Sequence, residues 1–118
     1  MTNPKNILIV EDEPLIAMML EDFLDALDHQ VAGTADNVSA ALELIGRGGV
    51  EAAILDVNLR GGEQSWPIAD RLSEAGIPFV IATGGSGDSI ADAHRARPML
   101  SKPFTMDTVE RALAGLSG

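Results

Sequence analysis

"ILIVEDEP", residues Ile7 to Pro14, runs four aliphatic residues into three carboxylates and stops at a proline. A short apolar run with no polar interruption reads as a strand covered on both faces, and such strands belong to parallel sheets wrapped in helices. Pro14 suits a first helical turn, where its missing N–H has no partner to lose. The stretch is therefore a strand, an acidic turn and a helix start, with negative charge gathered at the carboxyl end of the strand.

Working outward, Ile16, Leu20, Phe23, Leu24 and Leu27 recur at helical spacing while Glu21, Asp22, Asp25 and Asp28 fall mostly on the other side. "QVAGTA", Gln30 to Ala35, is a weaker strand. Asn37 follows as a candidate helix cap ahead of a stripe of Val38, Ala41, Leu42 and Ile45, and Gly46, Gly48 and Gly49 end that helix. "AAILD", Ala52 to Asp56, is a third apolar run ending on a carboxylate, followed by the loop "VNLRGGEQ". Ser65, Pro67, Ile68 and Leu72 predict a short helix closed by Gly76. "IPFVIAT", Ile77 to Thr83, predicts a fourth strand, with Pro78 near its start where a missing donor is tolerated.

After "GGSGDS", the segment Ile90 to Arg97 has little apolar periodicity, so a fourth helix there is expected to be short or disordered. "MLS", Met99 to Ser101, is a minimal fifth strand, and Met106, Val109, Leu113 and Leu116 give the stripe of a last helix capped by Thr105. Five strands alternating with helices imply right-handed crossovers and an α/β, doubly wound parallel sheet, whose ligands bind outside the carboxyl ends of the strands.

The length of 118 residues fits one domain with one core system, residues 1–118. Hydrophobic residues make up 46% of the chain and aromatics 3%, so the core is built from small and medium aliphatics. The net charge of -10 argues against a nucleic-acid or anionic-membrane surface, because phosphates would be repelled. Cations or basic protein patches are the expected partners. With no Cys, disulfides and thiolate metal sites are excluded. "MTNPKN" leads into only four consecutive aliphatic residues, too few for a signal segment or a membrane span, and the expected location is the cytoplasm.

The strand ends bring Glu11, Asp12, Asp56, Thr83 and Lys102 to one edge of one sheet. Two carboxylates about 4 Å apart repel by roughly 4 kcal/mol at an effective dielectric near 20, so the cluster calls for a cation. Mg²⁺ takes one or two carboxylates and keeps waters plus a phosphate oxygen, which matches this inventory, while the absence of nearby His or Cys disfavours zinc. A hydroxyl and an ammonium add donors for a phosphoryl group and leave one carboxylate as a nucleophile.

Glu11 and Asp12 after the first strand, Asp56 after the third, Thr83 after the fourth and Lys102 with Pro103 after the fifth together resemble the receiver domain of two-component response regulators, over essentially the whole chain. The resemblance implies a flavodoxin-like (βα)5 fold with strand order 2-1-3-4-5. It implies that Asp56 accepts a phosphoryl group from the phosphohistidine of a histidine kinase or a histidine phosphotransfer protein. Mg²⁺ would be held by Asp12, Asp56 and the main-chain oxygen of Asn58, with Glu11 contributing directly or through water. Thr83, Gly84, Asn58 and Lys102 would contact the phosphoryl group, and the Lys102–Pro103 peptide is expected to be cis. The output is phosphorylation-dependent contact with a downstream protein target or a phosphorelay, by a monomer or a weak phosphorylation-dependent dimer, without a DNA-binding output domain.

Met99 stands where the family usually has an aromatic switch residue, so switching is expected to rest on Thr83, Met99 and Pro103 without a rotating ring. "IATGG" resembles the Phe-Ala-Thr-Gly signature of a mostly stand-alone α-proteobacterial subgroup, with Ile81 in place of the Phe. Gly84, Gly85 and Gly87 would there permit a mobile switch.

Other readings account for less. A phosphatase of the haloacid dehalogenase type also uses a strand-end Asp, a Thr, a Lys and Mg²⁺, but Asn58 stands where its second Asp would act and the Glu11–Asp12 pair goes unexplained. A flavodoxin-like carrier would meet repulsion of its cofactor phosphate from Glu11, Asp12 and Glu13. An EF-hand reading of "DVNLRG" fails on Arg60 and Pro67 at ligand positions. A receiver excised from a hybrid kinase or longer regulator shares the same chemistry. His29 and His94 read as surface residues, and Trp66 as a staple over the loop at a helix start.

Overall fold

The computed structural model describes residues 5–83, 98–101 and 104–116, with Arg60 described through its backbone only. Chain order is β1 (Asn6–Val10), α1 (Pro14–Ala26), β2 (Gln30–Ala35), α2 (Val38–Arg47), β3 (Ala52–Asp56), a 3₁₀ turn (Arg60–Gly62), α3 (Trp66–Glu74), β4 (Phe79–Thr83), β5 (Met99–Ser101) and α4 (Met106–Ala114). The strands form one sheet, all pairs parallel, in the order β2-β1-β3-β4-β5. That is the expected doubly wound order, with the chain reversing direction across the sheet beside β1. The weak fourth helix anticipated over 90–97 lies outside the described residues.

Alternation along the strands sorts their side chains to two faces. Leu8 and Val10 of β1, Ala53 and Leu55 of β3 and Phe79 and Ile81 of β4 pack with Ala41 and Ile45 of α2 and Ile68 and Leu72 of α3. Ile7 and Ile9, Ala52 and Ile54, and Val80 and Ala82 face the other way onto Leu20 and Leu24 of α1 and Val109 and Leu113 of α4. Both faces of β1 and β3 are thus buried, which is why those strands read as unbroken apolar runs.

Helix boundaries follow local chemistry. Asn37 caps α2 by accepting from the Ala40 N–H at 2.8 Å. Thr105 and Thr108 form a reciprocal capping box on α4, the Thr105 hydroxyl accepting from the Thr108 N–H at 3.2 Å and the Thr108 hydroxyl from the Thr105 N–H at 3.0 Å. At β2 the register slips between Ile7↔Val31 and Leu8↔Gly33, leaving Ala32 as an extra residue. The glycine that follows admits α2: a Cβ on Gly33 would lie 2.9 Å from Leu44 Cδ1.

Four details differ from the sequence expectation, the first being that α2 runs through Gly46 to Arg47 and ends only at Gly48. β4 starts at Phe79, because the Ile77 N–H donates to the Leu72 carbonyl at 2.9 Å and so closes α3, while Pro78 offers only its carbonyl, to Ala53 N at 3.2 Å. Met106 is 42% exposed on the first turn of α4, so the buried stripe there starts at Val109. His29 is buried, not a surface residue: its Nδ1 accepts from the Lys5 N–H at 3.0 Å, which fixes the start of β1 against the α1–β2 turn, and Asp28 turns the chain with φ +67°. Burial, with a smaller contribution from Lys5, holds the His29 imidazole below its ordinary pKa of 6.5, against a pull upward from Asp28. Trp66 packs half-buried against the α2–α3 side of the core, in line with a covering role. Among the described residues, no helix is long and apolar enough to cross a membrane.

Candidate functional site

The sheet ends its strands in register at one edge. Val10 pairs with Leu55, Asp56 with Ala82, and Thr83 with Ser101, so the residues that follow β1, end β3 and end β4 stand side by side, neighbouring strands being about 4.8 Å apart. Oxygens of Glu11, Asp12 and Asp56 all lie within 4.8 Å of one another. Glu11 and Asp56 are buried, 3% and 5% exposed, and Asp12 is half-buried.

Local backbone fixes the position of Glu11 in the triad. Glu11 is locked to β2 by its N–H donating to the Ala35 carbonyl at 2.9 Å. Its carboxylate accepts from the Asp12 N–H at 3.0 Å and from the Glu13 N–H at 3.5 Å, at the head of α1, where the helix dipole favours negative charge. Pro14 opens α1 directly after this acidic run, where its missing N–H leaves no helical bond unmade. Beside the triad a groove of about 300 Å³ is lined by Glu11, Asp12, Thr34 and Asp36 together with Pro14, Ala17, Ala35 and Ala40.

The donor set fits a hard cation. Three carboxylate oxygens within 4.8 Å of one another are close enough that Glu11, Asp12 and Asp56 could share one small oxygen-seeking dication such as Mg²⁺. All donors are carboxylate oxygens, the type magnesium takes and zinc takes least.

The structure thus brings together Glu11, Asp12 and Asp56. Thr83 ends β4, half-buried and next to the residue paired with Asp56. Asn58 is exposed two residues past Asp56, between buried Val57 and Leu59, and faces Gln64 across an antiparallel bridge. Met99 opens β5 and is 41% exposed, on the strand end away from Ser101. Gly84, Lys102 and Pro103, with the cis peptide expected there, lie outside the described residues; Ser101, which precedes Lys102, is paired with Thr83. Sequence reasoning missed Asp36, although it follows β2 as Glu11 follows β1, and the same strand-end rule would have found it. It also missed Glu63, whose carboxylate reaches the Val38 N–H at 3.0 Å, a contact no local pattern announces.

A five-stranded parallel sheet in this order, with a carboxylate triad at its carboxyl edge, defines a class, and comparison with known proteins agrees. Residues 7–114 match the family described as the response regulator receiver domain, and the chain belongs to that family. It is a phosphoacceptor signalling domain rather than a conventional enzyme.

Among solved structures it is similar to SdrG from Sphingomonas melonis Fr1, at 61% identity over 97% of both chains and a TM-score of 0.87. Against the BeF3-activated conformation of SdrG, from Pseudomonas melonis Fr1, the TM-score is 0.82 at the same identity and coverage. Among curated proteins it is 30% identical over 112 residues to the phyllosphere-induced regulator PhyR of Methylorubrum extorquens, covering 92% of this chain and 42% of PhyR. The chain spans less than half the length of that relative.

Proposed function

We propose that Asp56 is the phosphoacceptor of a Mg²⁺-dependent receiver, loaded by the phosphohistidine of a histidine kinase or a histidine phosphotransfer protein. A carboxylate oxygen of Asp56 attacks phosphorus, the P–N bond to the donor imidazole breaks, and its electron pair stays on the imidazole nitrogen, which takes up a proton. The product is an acyl phosphate. Asp12, Asp56 and the main-chain oxygen of Asn58 hold the ion, and Glu11 contributes directly or through water. Bound Mg²⁺ supplies positive charge that offsets both the triad and the phosphoryl oxygens.

The remaining roles belong to the chain itself. The Thr83 hydroxyl and the Gly84 main chain donate to phosphoryl oxygens, Asn58 lines the site, and the Lys102 ammonium pairs with the transferred group. The switch comprises Thr83, Met99 and Pro103, so no aromatic ring reports the phosphorylated state. That SdrG has a BeF3-activated conformation supports a change of state on activation.

One observation carries the reading: two buried carboxylates and a third at the strand edge share a volume that fits one small dication, in a chain of the receiver family. The phosphorylated form acts by changed contact with a downstream protein target or by passing the group on, in the cytoplasm, as a monomer or a weak phosphorylation-dependent dimer. Residues 1–118 are read as one receiver domain, alike to SdrG over 97% of both chains. The longer PhyR favours a receiver within a longer regulator over a stand-alone one, and the mass of the protein isolated from its own cells separates the two.

Intact-mass analysis after incubation with acetyl phosphate and Mg²⁺ tests the chemistry. A single phosphoryl adduct is expected, lost in Asp56→Asn and without added metal. An adduct that survives Asp56→Asn overturns the assignment.

A further inference from the structure

We propose that Glu63 is a positioning residue: it ties the loop after Asp56 to the head of α2 and so sets how tightly the triad holds Mg²⁺. The proposal rests on the reading of the site given above.

The loop is a narrow ribbon. The Leu59 N–H donates to the Glu63 carbonyl at 2.7 Å, the Ser65 N–H to the Val57 carbonyl at 3.0 Å, and Asn58 faces Gln64 between them. Gly61 and Gly62 make its tip with φ of +74° and +83°, a left-handed pair that other residues adopt only under strain. Val57 and Leu59, 1% and 3% exposed, plug one limb into the core and leave Asn58 on the outside. Asn58 and Glu63 therefore sit on opposite limbs of one small rigid unit.

The head of α2 needs an acceptor from elsewhere. The Asn37 side chain takes the Ala40 N–H and its carbonyl takes Ala41 N–H, whereas the Val38 N–H, on the first helical residue, points out of the helix without an intrahelical acceptor. Glu63 Oε1 accepts it at 3.0 Å, placing a negative charge at the positive end of the helix dipole.

This bond closes a ring around the site. From Glu11 the path crosses to Ala35 through a 2.9 Å hydrogen bond, follows the chain past Asp36 to Val38, and jumps to Glu63. It returns through the ribbon to Asn58 and Asp56, whose carboxylate is back within 4.8 Å of Glu11. With the tie cut, the ribbon keeps its internal bonds but can hinge away from α2. The Asn58 main-chain oxygen must then be ordered by the ion itself, at an entropic cost that lowers affinity.

The blander reading is that Glu63 is only a remote helix cap, which predicts lost stability with unchanged metal affinity. Full-length Glu63→Ala and Glu63→Gln, compared with wild type, separate the two. In the metal-free protein, hydrogen exchange of the Val38 amide should accelerate in Glu63→Ala and stay near wild type in Glu63→Gln, which keeps the acceptor oxygen. Calorimetric titration with Mg²⁺ should show affinity reduced about tenfold in Glu63→Ala, the low end expected for groups that orient metal ligands, with Gln restoring most of it.

Glu63→Ala binding Mg²⁺ as wild type does would overturn the proposal. Equal weakening by Ala and Gln would overturn it too, since charge rather than the tie would then be responsible. If wild type itself binds no Mg²⁺, the functional reading fails first, and the control arm shows it.

Discussion

Removing the charge of Asp56 should make the metal-free protein more stable. Its carboxylate lies within 4.8 Å of both Glu11 and Asp12, so Asp56→Asn deletes two of the three repulsive pairs in the triad. At 4.8 Å one pair is worth about 3.5 kcal/mol at an effective dielectric of 20 and about 0.9 kcal/mol in water, which brackets the relief at roughly 2–7 kcal/mol. The amide reproduces the hydrogen bonding of a buried carboxylate poorly, a loss of about 1–3 kcal/mol. Relief less that loss spans about -1 to 6 kcal/mol and centres on a gain of about 2.5 kcal/mol, at about 3–5 °C in Tm per kcal/mol for a chain of this size.

Urea unfolding in EDTA and again in 10 mM Mg²⁺ provides the assay. For a dissociation constant near 1 mM the wild type should gain about 1.4 kcal/mol from the metal, by mass action on the folded state. Asp56→Asn should gain much less, because it lacks a ligand. Added NaCl should narrow the gap between the two proteins only by the share of half-buried Asp12, since buried Glu11 and Asp56 are screened little. A variant no more stable than wild type in EDTA, or one stabilised equally by Mg²⁺, refutes the argument that mutual repulsion at this edge is what the ion relieves.

Two further outcomes concern the scaffold. Because the imidazole of His29 is held below 6.5, the unfolded chain binds the proton more readily, so stability rises with pH through this region and is lost as pH falls below about 6.5 through the folded-state value. His29→Asn, which keeps an acceptor for the Lys5 N–H, should lose less stability than wild type between pH 7.5 and 5.5; parallel losses in urea midpoints would exclude His29 as the source. Thr105→Ala removes the cap and half of the box at the head of α4 and should cost about 1 kcal/mol, with Thr105→Ser restoring most of it, read from the same midpoints.

Most of the architecture was legible because burial on both faces leaves a plain trace: β1 and β3 are apolar runs that end on carboxylates, and those carboxylates meet. The caps Asn37 and Thr105 were legible for the same reason, since their bonds are local. What escaped the sequence depends on partners remote in the chain. Ile77 belongs to the closure of α3 because of a bond to Leu72, which an apolar run cannot reveal, and His29 is buried by the start of β1, 24 residues away. Glu63 is one more acid in an acidic chain until α2 stands 25 residues from it with an unused donor. The triad itself was readable because each member inherits its place from a strand end, whereas Asn58 is placed by a ribbon.

β3 is a partition shared by two compartments, Ala53 and Leu55 belonging to one and Ala52 and Ile54 to the other. Each compartment can be remodelled by its own pair of helices while the opposite one keeps the partition straight. Outer surfaces of α1 and α4, and separately of α2 and α3, are therefore free to diverge toward new contacts without shifting the carboxylate carried at the end of that wall.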